Sequence, residues 1–216
     1  MGRVEICHVL PPAISGLYAI TPDELNTVEL LRQVRLALQG GARILQYRNK
    51  LADAALRLTQ AAELRGLTRE FAATFIVNDD AKLAALVDAD GVHLGGEDGS
   101  IDTARALLGE AKLIGVSCYN RFELAEQAAR DGADYVAFGA FFSSTVKPDA
   151  PVASLELLRQ ARSNLTLPIV AIGGITLQNG SQLFAAGANA LAAISAIFSA
   201  PDIEQAARQF SALADE

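Results

Sequence analysis

The sequence has few of the side chains that commonly hold metals or form disulfides. Its 216 residues include two cysteines, Cys7 and Cys118, and two histidines, His8 and His93. Neither histidine has a cysteine or histidine partner at the spacing of zinc ligands, which argues against a zinc site. The low cysteine count, and an amino terminus that opens into no long apolar leader segment, predict a reducing compartment, the cytoplasm.

The chain is also short of positive charge and of long apolar runs. Its formal net charge is -7, and no basic run alternates with aromatic residues. We therefore expect small-molecule partners, no nucleic acid, and an anion site that is local. The most apolar stretch, residues 183–200, is interrupted by Gly187, Asn189 and Ser195, whereas a membrane span needs roughly 20 apolar residues in a row. A membrane partner is not expected, and a homo-oligomer is left open.

What the chain does contain is a repeated alternation of short apolar runs with longer segments of helical periodicity. A length of 216 residues with 51% hydrophobic side chains fits one domain over residues 1–216. Runs with strand character cover residues 16–20, 43–47, 74–77, 90–94, 113–117, 135–139, 168–173 and 190–195. Residues placed as helix N-caps are Asn26, Asn120, Ser154 and Thr176.

Strands that are apolar on both faces and alternate with helices predict a parallel sheet covered by helices, an α/β fold. Eight such units in a chain of this length fit a single-domain (β/α)8 TIM barrel. A doubly wound open sheet is the alternative. It would want a glycine-rich turn after the first strand, where residues 18–22 read Tyr-Ala-Ile-Thr-Pro.

In a barrel the carboxyl ends of all strands share one face, and that face carries the active site. The second predicted strand ends in the alternating residues Gln46, Arg48 and Lys50. If the extended chain continues that far, one amide and two cations lie on the same side and could grip a diphosphate. A solvated basic turn is the alternative explanation of so short a motif.

Two carboxylates, Asp79 and Asp98, follow the third and fourth predicted strands. Mg²⁺ is normally held by one or two carboxylates together with waters and substrate phosphates, so the pair predicts a magnesium site. Alternatively, Asp79 caps the following helix and Asp98 is an ordinary loop residue.

Backbone groups after the seventh and eighth predicted strands are candidates for binding a phosphate. Gly173-Gly174 and Ile194-Ser195 lie where barrels often hold one, although a tight turn would also need glycine. We expect no serine nucleophile, because Ser117 has no neighbouring histidine in the sequence.

Taken together, these strand ends resemble the thiamine phosphate synthase family, also called thiamine-phosphate pyrophosphorylases. The resemblance covers roughly residues 16–212 and rests on segments 46–50, 77–79, 92–98, 115–117, 138–147, 171–175 and 194–195. It implies a small barrel and a transferase of thiamine biosynthesis. Such an enzyme joins 4-amino-2-methyl-5-(diphosphooxymethyl)pyrimidine to 4-methyl-5-(2-phosphooxyethyl)thiazole and releases pyrophosphate, with Mg²⁺ as cofactor.

The resemblance also implies a role for each matching residue. The pyrimidine diphosphate would be bound by Gln46, Tyr47, Arg48, Asn49, Lys50, Asn78, Ser117 and Lys147. The thiazole phosphate would be bound by Ser144, Thr145, Val146, Gly174, Ile194 and Ser195, and Mg²⁺ by Asp79 and Asp98. As the diphosphate leaves, a pyrimidinylmethyl cation would form. The catalytic residues implied for this step are Arg48, Lys50, Ser117 and Lys147. Such chemistry needs charge neutralisation and alignment more than a protein nucleophile.

The sequence departs from the family's pattern at two positions. Val146 stands where the family usually has a hydroxyl residue, and losing that hydrogen bond would cost roughly 1.5 to 3 kcal/mol unless Ser144 or Thr145 substitutes. Gly96 replaces a glutamine, which would loosen the loop that carries Asp98. Two alternative functions are a related thiazole phosphate tautomerase, which would not need the cations, and a non-catalytic binder of thiamine phosphates.

Overall fold

The structure, a computed structural model, describes residues 14–96, 98–142 and 152–214 and contains a closed barrel of eight parallel strands. The strands are β1 (Gly16–Ile20), β2 (Ile44–Tyr47), β3 (Thr74–Asn78), β4 (Gly91–Leu94), β5 (Leu113–Tyr119), β6 (Tyr135–Phe138), β7 (Ile169–Ile172) and β8 (Ala190–Ala193). Each strand pairs with the next, and β8 pairs with β1. The predicted α/β fold, a single-domain (β/α)8 barrel, is confirmed; that the domain takes in residues 1–13 and 215–216 stays a prediction.

Helices connect the strands and cover the outside of the barrel. They are α1 (Thr27–Gln39), α2 (Ala54–Glu70), α3 (Ala81–Leu86), α4 (Ile101–Leu108), α5 (Phe122–Arg130), α6 (Leu155–Asn164), α7 (Gly180–Ala185), α8 (Ser195–Phe198) and α9 (Ile203–Ala212). Among the described helices, none is long and apolar enough to cross a membrane.

Two of the four predicted N-caps are confirmed and two are wrong. The side chains of Asn26 and Ser154 accept backbone hydrogen bonds at the starts of α1 and α6. Asn120 is not a cap, because α5 begins one residue later and has Arg121 in that position. Thr176 is not a cap either: its N–H donates to the side chain of Asn179, which closes a turn and delays the start of α7.

The buried side chains form two layers. A larger one lies between the strands and the helices and includes Tyr47, Phe75 and Phe138. A smaller one fills the inside of the barrel and includes two tyrosines, Tyr18 and Tyr135, among aliphatic residues. The alternation of strand residues between these layers explains why the runs are apolar on both faces.

At the amino ends of the strands, polar residues tie neighbouring strands together. Asp90, Asp134 and Asn189 each precede a strand and accept the backbone N–H of the strand before it, with N···O distances of 2.7 to 2.9 Å. Arg65 grips Asp90 with two nitrogens, and Arg105 lies 2.6 Å from Asp134. These partly buried pairs stabilise the end of the barrel opposite the predicted site.

Candidate active site

A cavity of about 390 Å³ opens at the carboxyl ends of β2 and β3. It is lined by the loop after β2, the end of β3 and the facing helices: Tyr47, Arg48, Asn49, Lys50, Ala52, Arg57, Val77, Asn78, Asp79 and Leu83. The fold therefore brings two predicted cations, two predicted amides and one predicted carboxylate to a single cavity.

Arg48 and Lys50 reach this cavity from a loop rather than from an extended strand. Strand β2 ends at Tyr47, so the expected alternation does not continue to Lys50. Instead, the Thr21 hydroxyl accepts from the N–H of Arg48 and donates to its carbonyl, each at 2.8 Å. The Asp23 carboxylate accepts from Arg48 Nη1 at 3.2 Å and from the Lys50 N–H at 2.6 Å. Thr21 and Asp23 were not among the predicted site residues, and their only signal in the sequence is their position just after β1.

The side chains of Tyr47 and Asn49 hold this loop in place. The Tyr47 hydroxyl donates to Gln60 Oε1 at 2.9 Å. Asn49 Nδ2 donates to the Glu24 carbonyl and to Gln60, and its Oδ1 accepts from the N–H groups of residues 51 and 52. Their predicted contact with substrate stays a prediction, and both already have a structural role.

The structure brings Asp79 and Asp98 together. Asp79 follows β3 in a left-handed conformation, with φ 63°, and its N–H donates to the His93 carbonyl at 2.8 Å. The helix cap is the next residue, Asp80, which accepts from the N–H of residue 83, so the capping alternative for Asp79 is wrong. Asp98 Oδ2 accepts from the Gly95 N–H at 2.9 Å.

Electrostatics at this pair favour a bound cation. Burial and the neighbouring Asp98 raise the pKa of the Asp79 carboxyl to about 6, although Lys50 and Arg48 partly offset this. Two crowded carboxylates are what a hard cation would neutralise. Within the described ranges, no third histidine, cysteine or acidic residue joins them in a cluster, so the remaining ligands of an ion would come from water or substrate.

Behind the cavity, His93 is buried and both of its ring nitrogens have partners. Nδ1 lies 3.1 Å from the Tyr135 hydroxyl, and Nε2 lies 2.9 Å from Ser117 Oγ. The expectation that Ser117 has no histidine neighbour is therefore wrong in the folded protein. Strands β4 and β5 pair side by side, and this pairing places His93 next to Ser117. Burial lowers the pKa of His93 to about 4, which keeps the imidazole neutral.

Gln46 lies deeper in the barrel than the other predicted substrate residues. Its side chain is 4% exposed, and Nε2 donates to the Tyr18 hydroxyl at 2.9 Å. Tyr18 in turn lies 2.9 Å from the Tyr135 hydroxyl. An unbroken chain of hydrogen bonds thus crosses the barrel interior from Gln46 to Ser117.

Three of the predicted thiazole phosphate residues, Gly174, Ile194 and Ser195, follow strands β7 and β8. Gly174 has φ 63°, and a Cβ there would lie 2.6 Å from the Phe142 carbonyl oxygen, so the close approach requires glycine. Strand β8 ends at Ala193 rather than at Ser195, because Ile194 caps the short helix α8 and Ser195 begins it. Ser144, Thr145, Val146 and Lys147 lie outside the described residues.

Arg57 is a third cation at the cavity that the sequence analysis missed. It belongs to the first turn of α2, and its Nη1 lies 3.9 Å from Asp80. Its Nε is buried and has no hydrogen-bond partner among the described residues. Arg57 is not at a strand end, and its only signal in the sequence is an arginine about one helical turn after the loop.

The loop that carries Asp98 makes one hydrogen bond at Gly96, and its expected loosening relative to a glutamine stays a prediction. The Gly96 N–H donates to the Tyr119 hydroxyl at 3.2 Å, and a Cβ at Gly96 would lie 3.2 Å from the same oxygen. Tyr119 therefore lies beside the position where a longer side chain would start.

Comparisons with known proteins identify the family of this chain. The model of the family described as thiamine monophosphate synthase matches residues 17–197. The thiamine-phosphate synthase of Methylobacillus flagellatus is 56% identical over 206 residues, covering 95% of this chain and 98% of that protein. The thiamine-phosphate synthase of Acidithiobacillus ferrooxidans is 54% identical over 204 residues, covering 93% and 94%.

A solved structure gives the same result. The thiamine phosphate pyrophosphorylase from Pyrococcus furiosus superposes with a TM-score of 0.84 at 38% identity, covering 93% of this chain and 95% of that one. With the family match over residues 17–197 and relatives above 50% identity along nearly the whole length, the chain belongs to the thiamine monophosphate synthase family.

Proposed function

We propose that the protein condenses 4-amino-2-methyl-5-(diphosphooxymethyl)pyrimidine with 4-methyl-5-(2-phosphooxyethyl)thiazole to give thiamine phosphate and pyrophosphate. The observation that carries this proposal is the cavity in which Arg48, Lys50, Asn78 and Asp79 meet, next to Asp98. Cations, an amide and a carboxylate pair are the groups that a magnesium diphosphate needs.

The cations bind and orient the diphosphate. Arg48 is held by Asp23 through Nη1 alone, so among the described residues its other donors have no partner and are available to phosphate oxygens. Lys50 adds a point charge from the same loop, and Asn78 donates from the end of β3. This arrangement draws negative charge onto the leaving group, which lowers the barrier to its departure.

Asp79 and Asp98 would hold Mg²⁺, and the fit rests on burial and on the closeness of the two carboxylates, which together raise the pKa of Asp79. When bound, the ion supplies further charge neutralisation at the diphosphate oxygens. Asp98 also accepts the Gly95 N–H and so orients the loop after β4.

The reaction proceeds by dissociation. The bond between the pyrimidinylmethyl carbon and the diphosphate oxygen breaks, and both electrons leave with the oxygen. The ring's amino group delocalises the positive charge of the resulting cation. The thiazole nitrogen then donates its lone pair to that carbon, so the charge ends on the thiazolium. No protein nucleophile is needed, and Gln46 and Ser117 position the ring.

The thiazole phosphate would lie opposite, on backbone groups of Gly174, Ile194 and Ser195, with Ser144, Thr145, Val146 and Lys147 contributing from outside the described residues. We place the reaction in the cytoplasm, as the low cysteine content predicts. Self-association stays a prediction.

Pyrophosphate release with each substrate omitted in turn tests the activity. We expect release only when both substrates and Mg²⁺ are present. Folded protein that releases no pyrophosphate with the complete mixture contradicts the proposal. Tight binding of thiamine phosphate without turnover, measured by calorimetry, would favour a non-catalytic binder, and interconversion of thiazole phosphate forms would favour a tautomerase.

Substitution of Arg48 tests the assignment of the diphosphate site. Arg48→Ala should lower kcat/KM for the pyrimidine diphosphate by about a hundredfold and leave thiazole phosphate affinity nearly unchanged, because a charge-assisted contact to one substrate is lost. Arg35→Ala is the matched control, since Arg35 pairs with Glu70 on the outer helices. Equal losses for both substrates would contradict the assignment.

A further inference from the structure

The hydrogen-bonded chain inside the barrel connects two residues that the proposed function assigns to the same substrate. The residues between those two ends have no role in the proposed function. Gln46 and Ser117 are its ends, and Tyr18, Tyr135 and His93 lie between them. The middle residues are 1%, 0% and 8% exposed, respectively. Buried polar groups at this depth need partners, and a connected set of them behaves as one unit.

We propose that Tyr18, Tyr135 and His93 are positioning residues that fix the hydrogen-bond direction of Gln46 and Ser117, so that the site selects a 4-aminopyrimidine over its 4-oxo counterpart. This inference rests on the proposed function and names how that site recognises the ring.

The direction of the chain follows from the donors. Gln46 Nε2 can only donate, so the Tyr18 oxygen accepts and its proton must go elsewhere. Among the described residues, the remaining partner of the Tyr18 hydroxyl is Tyr135. Tyr135 then has one proton to give, and its other neighbour is His93 Nδ1.

The direction then passes through the imidazole. Because Nδ1 of the neutral ring accepts, the ring proton lies on Nε2 and is donated to Ser117 Oγ. The Ser117 hydroxyl proton is left free to donate to a ligand. His93 therefore does not act as a base toward Ser117, although the two side chains are in contact.

The two ends present complementary groups to a ligand. Among the described residues no donor pairs with Gln46 Oε1, which can therefore accept from a ligand, and Ser117 offers a donor. A 4-aminopyrimidine matches both, because its amino group donates and its ring nitrogens accept. In the 4-oxo form the exocyclic oxygen accepts and a ring nitrogen carries a proton. That oxygen would face the acceptor Gln46 Oε1, and the protonated ring nitrogen would face the donor Ser117. Rejecting that form has a purpose, since only the amino form can stabilise the pyrimidinylmethyl cation.

Neither end can turn alone. Reversing Gln46 would place two acceptors against each other unless Tyr18, Tyr135 and His93 all reversed with it. A polar group left unpaired at this burial is costly, which is how a buried network discriminates between ligands that differ by one group.

Calorimetric dissociation constants in the presence of Mg²⁺, for the amino diphosphate and for its 4-oxo analogue, test this inference. The wild type should bind the oxo form at least about a hundredfold more weakly. Tyr18→Phe and Tyr135→Phe should each reduce that ratio roughly tenfold. Removing a hydroxyl interrupts the chain, and Gln46 or Ser117 can then reverse its hydrogen-bond direction. The double variant should reduce it no further, since the chain is broken only once.

Thr68→Val is the matched control. It also removes one buried hydroxyl, which donates to the Arg65 carbonyl on the outer helix α2, and its ratio should equal that of the wild type. Thermal melting of each variant establishes that it is folded. An unchanged ratio in both tyrosine variants, or a wild type that prefers the oxo form, overturns the inference while the pyrophosphate assay still supports the activity. A wild type that binds neither form overturns the proposed function itself.

Discussion

Acidic residues stand at both ends of this barrel, and their surroundings differ completely. At the amino end, Asp90 and Asp134 each accept a strand N–H and pair with an arginine. At the carboxyl end, Asp79 and Asp98 crowd each other, and Asp79 has a strained backbone and a pKa raised to about 6. The same residue type stabilises one end and, at the other end, forms the carboxylate pair at which we propose that Mg²⁺ binds.

The difference indicates that the carboxylates contribute less to stability at the carboxyl end, which carries the candidate site, than at the amino end. Carboxylates that are fully paired within the protein have little left for a ligand, whereas crowded ones gain most when a ligand arrives. The comparison can be tested from both ends.

The largest effect is expected at Asp79. Asp79→Asn should lower kcat/KM on the order of a thousandfold, because it weakens charge neutralisation at the leaving group. Without metal, at pH values above about 6, the variant should melt at a higher temperature than the wild type, because the raised pKa means that ionised Asp79 destabilises the fold. Melting curves with and without Mg²⁺ measure this, and the metal-induced shift should disappear.

Glu63→Gln is the control for that substitution, since Glu63 is an exposed acid on α2. It should change neither activity nor the metal-induced shift. Lower stability of metal-free Asp79→Asn at neutral pH would contradict the contrast between the two ends.

The next effect is a pH dependence of stability that comes from His93. Its pKa is 6.5 ordinarily and about 4 in the fold, so between these values the unfolded chain binds a proton that the folded protein does not. The stabilisation is complete above pH 6.5 and declines as the pH falls toward 4, by up to about 3 kcal/mol. Urea unfolding at several pH values measures this.

His93→Gln serves as the comparison, because it removes the titrating group. Its stability should fall less steeply over the same pH range. At the amino end, the ion pair with Lys112 lowers the pKa of the Asp88 carboxyl below 3.8. The stability that this ion pair contributes is therefore lost at a lower pH than the stability that depends on His93. Identical slopes for the two proteins would rule out His93 as the source.

A smaller effect is expected at the amino end. Asp134→Ala should destabilise the fold by about 2 kcal/mol, because the Ile114 N–H and Arg105 lose their partner. The kcat should stay at its wild-type value. Glu156→Ala removes an exposed carboxylate that pairs with Arg159 and should change stability by less than about 0.5 kcal/mol. A large loss of kcat in Asp134→Ala would contradict the conclusion that the amino end of the barrel serves stability and not catalysis.

The smallest effect concerns the far side of the mouth, where the thiazole phosphate is proposed to bind. Val146→Thr should lower the KM for that substrate about threefold, because the new hydroxyl would add one hydrogen bond to the phosphate; the gain is limited to the extent that Ser144 and Thr145, its neighbours in the sequence, substitute for it. Steady-state kinetics with the pyrimidine diphosphate saturating measure it. An unchanged or raised KM would mean that the neighbouring hydroxyls already compensate in full.

Most of the fold could be predicted from the sequence because the strands alternate between two apolar layers. Strand β1 coincides with its predicted range, and β8 ends two residues early because Ile194 caps a short helix. Asn120 and Thr176 misled the prediction of helix starts, since several nearby polar residues could serve as caps. Only the backbone geometry chooses among them.

The site was predictable as a set of residues but not as a set of contacts. Arg48, Lys50, Asn78 and Asp79 do meet, as their strand ends predicted. The contacts of Asp23 with the β2 loop could not be read from the sequence, because they join residues from different units. Tyr18 and Tyr135 are 117 positions apart, and their hydrogen bond depends on the closure of the barrel.

Gly115 on β5 has no side chain, yet the chain of hydrogen bonds depends on it. A Cβ at this position would collide with the ring of Tyr135. The empty space above one glycine thus admits the aromatic ring of Tyr135, and that ring brings a second tyrosine hydroxyl, next to that of Tyr18, to the centre of the barrel. A single added methyl group there would close the space, and the opposite walls of the barrel would lose the polar bridge that joins them.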